Sequence, residues 1–292
     1  MPDTVLAQAA LTGLLVGGVY GLVSMGLALI FGVLDIINFA HGAMMALAMY
    51  ATYALAAQAG LDPYLTLLLT VPLLFVLGAV VQLLLVGRVL GGAAESQLLL
   101  TLGLAIVIEN VLLAAFTATP RSVSAPLIGT SLPSGIRLGS AVASTQLVVA
   151  FAGSLVLGGL LHLLLHRTRL GMAIRAVAEN PRGAALVGVD VRRAYVLAFG
   201  LGTACAGAAG SLMVPFLSVT PTTGDTFNII AFVVVVLGGL GSVTGALVGG
   251  LIIGLVQYLG GATLPQVNNL LIVFAVFVLT LLLRPQGLLG RR

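Results

Sequence analysis

Eight carboxylates and three histidines are all that this 292-residue chain offers for acid–base or metal chemistry. No group of them has the spacing of a metal site. Neither Ser24 nor Ser211 has a histidine and a carboxylate in any pattern that would make it a nucleophile. All twelve basic residues are arginine, which excludes a phosphate-binding loop ending in Lys-Ser/Thr. The chain is therefore expected to be no enzyme, to hold no cofactor or metal, and to be driven by another subunit or an ion gradient. What remains is a handful of polar residues in apolar surroundings. Asn38, Phe39 and His41 lie in a short interruption, Asp35–Gly42. Glu109 and Asn110 sit at the centre of an apolar run, where an ionisable group costs about 2.5–3.5 kcal/mol on insertion scales and so marks a functional position. Gly238, Gly239 and Gly241 belong to a second interruption, Gly238–Ser242. Such residues hydrogen-bond a passing solute; they do not make or break its bonds. Each also has a structural use: Asn38 suits a helix cap, His41 a packing hydrogen bond, and Glu109 a protonated or paired group between helices.

The elements that must position them are membrane spans. Apolar residues make up 60% of the chain and charged ones 7%, with a mean hydropathy of +1.22. A soluble domain carries roughly 25% charged residues, so lipid and other helices must be the solvent for most side chains. The arginines gather between apolar runs and form no surface stripe, which argues against nucleic acid. Runs long enough to cross are Ala9–Phe31, Tyr64–Val86, Gln97–Phe116, Gln146–Leu165 and Ala194–Leu217. Shorter ones are Ala43–Ala59, Phe227–Leu237, Val243–Leu259 and Leu270–Leu283. The pattern predicts one all-α transmembrane bundle over 1–292, with about eight to ten membrane segments including broken or re-entrant helices. The first run is a retained span, and the single Cys205 is packing. Both interruptions are expected at membrane depth, paired between two related halves, as in transport paths built from discontinuous helices.

Six arginines fall in the polar segment 166–193, which the positive-inside rule makes cytoplasmic. Counting outward puts the loop 119–144 outside. Within the cytoplasmic segment Asn180-Pro181 reads as an N-cap followed by N1, and Gly188 as the C′ residue of a two-turn helix. Ala184, Ala185, Leu186 and Val187 give that helix an apolar surface for docking.

The strings Ile37-Asn38-Phe39-Ala40-His41-Gly42, Arg175–Gly188, Gly238-Gly239-Leu240-Gly241-Ser242 and Arg284–Gly290 closely resemble the permease subunits of bacterial branched-chain amino acid ABC importers. The chain looks like the first of the two permeases such importers use. The resemblance implies a multi-pass inner-membrane protein paired with a second homologous permease, two ATPase subunits and a periplasmic substrate-binding protein. On that reading the path runs by the two interruptions and the mid-span polar pair: Asn38, Phe39, His41, Glu109, Asn110, Gly238, Gly239 and Gly241. The resemblance implies ATPase coupling through Arg175, Glu179, Asn180, Pro181, Ala184, Ala185 and Gly188, although Gly183 stands where the usual coupling pattern has Glu. Cargo would be branched-chain or other small amino acids; urea, short amides and aromatic acids are alternatives within the family. The competing reading from the residues is an ion-coupled transporter or channel using Asp35, His41 and Glu109 as a relay.

Overall fold

The computed structural model of the chain describes residues 2–124, 135–139, 141–264, 266–284 and 286–290. The middle of the expected external loop (125–134, and 140), Pro285 and the Arg291-Arg292 tail lie outside the described residues. Long apolar stretches can satisfy their backbone groups in lipid only as helices, and helices account for about three quarters of the described chain. They are α1 (Pro2–Leu34), α2 (His41–Ala59), α3 (Leu67–Val81, continued by a π-turn at Gln82–Val86 and a last turn at Gly87–Val89) and α4 (Ala94–Phe116). A hairpin of β1 (Gly135–Leu138) and β2 (Ala141–Ser144) follows. Then come α5 (Thr145–Arg167), α6 (Arg169–Glu179), α7 (Pro181–Leu186), α8 (Val191–Met213), α9 (Thr223–Gly238), α10 (Val243–Thr263) and α11 (Asn269–Leu283). Six of the described helices are long and apolar enough to span a bilayer; α9 and α11 are shorter apolar helices.

Burial sorts the helices into layers. The most apolar stretch of α1 is 89% buried and that of α8 is 83% buried, whereas that of α4 is only 11% buried. Thus α1 and α8 form the centre, and α4 lies on the outside. The two central helices touch backbone to backbone, because a Cβ on Gly26 would overlap the Gly202 carbonyl. Cys205 is buried at this crossing, beside Gly26, as a packing residue.

Around this centre the chain repeats itself upside down. The two most extensive helix contacts are α1 with α10 and α8 with α3. In the same way α8 packs on α2 where α1 packs on α9, and α2 on α4 where α9 packs on α11. So α1–α4 and α8–α11 are two related halves of opposite direction, joined through α5–α7. The α1–α10 seam is lined by small residues: a Cβ on Gly250 or Gly254 would strike the α1 backbone at Gly21 or Gly17. Close backbone approach of this kind is how helices associate where lipid removes the hydrophobic drive.

One end of the bundle carries the hairpin, whose Val142 exchanges 2.8 Å hydrogen bonds with the Gln8 side chain. The opposite end carries α6, α7 and most of the arginines. Arg121 departs from the simple charge count: it lies toward the hairpin end, bridges by backbone to Val219 and covers the Tyr53 ring at 5.8 Å.

Toward the hairpin end, three helices are tied by buried hydroxyls. Thr52 of α2 donates to Ser211 Oγ of α8 at 2.8 Å, and Thr70 of α3 shares a second 2.8 Å bond with it. Interhelical bonds of this type contribute about 0.6 kcal/mol on average and up to about 1.7 in bilayers. Ser211→Ala, which removes both, is expected to cost about 1 kcal/mol. Thermal unfolding in detergent checks this, and an unchanged midpoint would mean the network contributes nothing.

Candidate functional site

Two helices begin inside the bundle and not at its surface. From the end of α1 the chain turns back through Asp35–Ala40 and starts α2 beside the middle of α1. There His41 Nε2 bonds the Val23 carbonyl at 3.0 Å. From the other end, after α8, the chain returns through Val214–Thr222 and starts α9 at the same level. The two first turns abut. A Cβ on Gly42 would overlap the Gly224 carbonyl, and one on Gly224 would overlap Gly42. Gly42 N–H donates to Asn228 Oδ1 at 3.1 Å, and Phe39 stacks on Phe232 with centroids 5.7 Å apart.

This junction corrects two sequence expectations. The interruption that pairs with Asp35–Gly42 is Val214–Thr222, not Gly238–Ser242. The second lies at the basic end of the bundle, where Gly241 touches Gly32 near the end of α1. Asn38 also does not cap α2 directly. It stands two residues ahead of the cap position, Ala40, and its Oδ1 accepts the Ala40 N–H at 3.1 Å in an Asx turn.

The junction has polar atoms to spare. A carbonyl can only accept, so His41 Nε2 carries the proton and Nδ1 is left as an acceptor. His41 Nδ1, Asn38 Nδ2 and Ser24 Oγ, next to Val23, are fully buried without hydrogen-bond partners among the described residues. Buried polar groups are nearly always satisfied, so the unpartnered atoms of His41 and Asn38, at the entry to α2, set this junction apart from the apolar packing around it.

The other expected path residues lie elsewhere. α4 reaches the break through Thr101, whose hydroxyl donates to the Ile37 carbonyl at 3.2 Å. Glu109 is two turns further along, about 12 Å away at 1.5 Å per residue, and is half-buried. Asn110 is exposed and donates to the Ile106 carbonyl of its own helix at 2.8 Å. Gly238, Gly239 and Gly241 form the tight turn from α9 to α10, whose first turn is capped by Ser242 at 3.1 Å. The C-terminal segment closes over this turn, with Leu288 and Leu289 N–H donating to the carbonyls of Leu237 and Gly238 at 2.8 and 2.9 Å.

At the basic end a cavity of about 750 Å³ opens between the end of α1, α6 and the α9–α10 turn, lined by Asp35, Arg175, Glu179, Tyr195, Gly241 and Thr244 among others. Beside it, α7 has the ends its sequence calls for. Asn180 Oδ1 accepts the Gly183 N–H at 2.9 Å, Pro181 occupies the first turn, and Gly188 stands at φ 85°. Gly188 and Val189 N–H bond the Ala185 and Ala184 carbonyls, both at 3.0 Å, which is a Schellman ending. Ala184 is buried at 4% exposure and anchors the helix, whereas Leu186 and Val187 project at 89% and 79% exposure.

Residues 9–281 match the family described as branched-chain amino acid transport system / permease component. The chain belongs to that family. The high-affinity branched-chain amino acid transport system permease protein BraD of Pseudomonas aeruginosa is 28% identical over 97% of this chain and 95% of its own length. LivH of Escherichia coli, with the same description, is 31% identical over 97% and 95%. The probable LivH of Methanocaldococcus jannaschii is 32% identical over 92% and 88%. No solved structure matches.

This permease is therefore a multi-pass membrane protein and a component of an ABC-type transport system. Sequence reasoning missed the whole α9 side of its central junction: Gly224, Asp225, Asn228 and Phe232. The signal was present as the stretch Thr220–Asn228, whose threonines, Asp225 and Asn228 interrupt two apolar runs just as Asp35–His41 does. It reads as a connector unless the inverted repeat is known.

Proposed function

We propose that this permease is the translocating subunit of an ATP-driven importer for branched-chain or similar small amino acids in a bacterial inner membrane, working by alternating access. The observation that carries the reading is the junction of α2 and α9, two half-helices from opposite halves whose N-termini meet in the interior beside unpartnered polar atoms. Paired discontinuous helices of this kind build solute sites near the bilayer midplane. The basic end faces the cytoplasm, in keeping with the positive-inside rule. Two ATPase subunits dock there on α6 and α7, a second homologous permease completes the path, and a periplasmic binding protein delivers cargo at the hairpin end. Without a lysine the chain has no phosphate loop of its own.

The test is purification at native expression, followed by reconstitution in vesicles. The chain is expected to come out with ATPase subunits and to accumulate leucine only with ATP and binding protein. Uptake by the purified single chain on an ion gradient would replace this reading with the ion-coupled one.

A further inference from the structure

We infer that Asp225, in the first turn of α9, holds the ammonium group of the cargo, with Ile229, one turn on along the same exposed face, under the aliphatic side chain. The inference rests on the importer reading and names the cargo class at its central junction.

Depth is the first argument. Gly224 touches Gly42, and the ring of Phe227 lies 6.0 Å from that of Tyr20 on α1, while His41 bonds Val23. Asp225 therefore lies level with residues 20–23 of α1, about 18 Å from the Leu34 end at 1.5 Å per residue. Gln8, which marks the hairpin end, is about as far the other way. Asp225 is nevertheless exposed. A carboxylate midway through a bundle does not face acyl chains; it faces protein or water. Thr226 and Ile229 are exposed beside Asp225, and the same face runs on, about 10 Å along α9, to Phe232 under the 37% exposed ring of Phe39.

The bland account is that Asp225 only stabilises the start of α9 through the helix dipole. That effect is small, and an uncharged capping residue would supply most of it without placing an anion at this depth. An anion with an exposed apolar side chain one turn away suits a particular ligand: a compact cation bearing a branched apolar group, such as leucine or valine. It does not suit urea, which has no charge, or an aromatic acid, which the carboxylate would repel. Asp225 thus separates amino acids from the other cargoes of the family by charge.

The experiment uses the assembled importer in vesicles. Wild type is expected to take up leucine and not 4-methylpentanoate, which is leucine without its ammonium group. Asp225→Asn should lower leucine uptake at least tenfold, and Asp225→Glu should restore much of it. Leucine uptake by Asp225→Asn at the wild-type rate overturns the proposal. A second measurement needs no transport: Asp225→Cys in a Cys205→Ser background should react with a charged, membrane-impermeant thiol reagent, and leucine should slow the reaction. A thiol that never reacts lies in lipid or in a dry contact, and that too overturns the proposal. If wild type carries no leucine while the Asp225→Cys thiol reacts and leucine slows the reaction, the importer reading fails and the assignment of Asp225 stands.

Discussion

Gly42→Ala is expected to abolish uptake and to lower the thermal midpoint of the detergent-solubilised permease by many degrees. The added methyl would overlap the Gly224 carbonyl and crowd the Asn228 side chain. The obstacle is backbone on a facing helix, so no side-chain rotation relieves it. Overpacking commonly costs about 1–3 kcal/mol, and a clash with backbone belongs at the upper end, about 3 kcal/mol or more. The two half-helices would have to separate, breaking the 3.1 Å bond from Gly42 N–H to Asn228 and unstacking Phe39 from Phe232. Gly224→Ala should behave the same way, since its methyl would strike the Gly42 backbone. Gly103→Ala is the control. It lies in α4, nothing lies within 4 Å of its added carbon, and replacing a helical glycine there should stabilise slightly, by up to about 1 kcal/mol. If Gly42→Ala unfolds and transports like Gly103→Ala, the two N-termini do not meet as described.

This junction also shows what could and could not be read from the amino-acid order. The membrane bundle was legible because so few charges cannot cover a water-exposed surface. The α7 helix was legible to the residue, because Asn180, Pro181 and Gly188 act through local backbone geometry. The break at Asp35–Gly42 was legible because polar residues interrupt an apolar run. Its partner was not. Gly238-Gly239-Leu240-Gly241-Ser242 looks like an interruption, yet it is a turn at the bundle end, and its glycines serve the contacts with Gly32 and the C-terminal segment. Which interruption lies deep depends on where each helix ends relative to the others, and that is a tertiary quantity. Glu109 illustrates the same limit. Its charge marks it as costly in a span, but only the packing of α4 places it on an outer helix, two turns beyond the contact at Thr101.

The largest effect outside the junction is expected at the tip of α7. Leu186→Glu together with Val187→Glu should eliminate uptake and release the ATPase subunits on purification, while leaving the permease's own thermal midpoint unchanged. Both side chains stand almost free of the chain that bears them, at 89% and 79% exposure, so the fold does not use them. They also stand at the end of a helix that the protein fixes at both ends, by Asn180 and by the Gly188 ending. Burying a Leu or Val side chain contributes about 1.5–3 kcal/mol. Two of them entering an ATPase groove would supply at least about 3 kcal/mol, or more than a hundredfold in affinity at about 1.4 kcal/mol per factor of ten. Two carboxylates would reverse the sign. The expected behaviour of Ala184→Arg is the opposite: Ala184 is 4% exposed and packs inward, so an arginine there should damage the permease itself by about 3–5 kcal/mol as an unpaired buried charge. Separating loss of docking from loss of folding in this way isolates the role of α7. Co-purification of ATPase subunits with the double glutamate variant at wild-type yield would show that the motor engages some other surface.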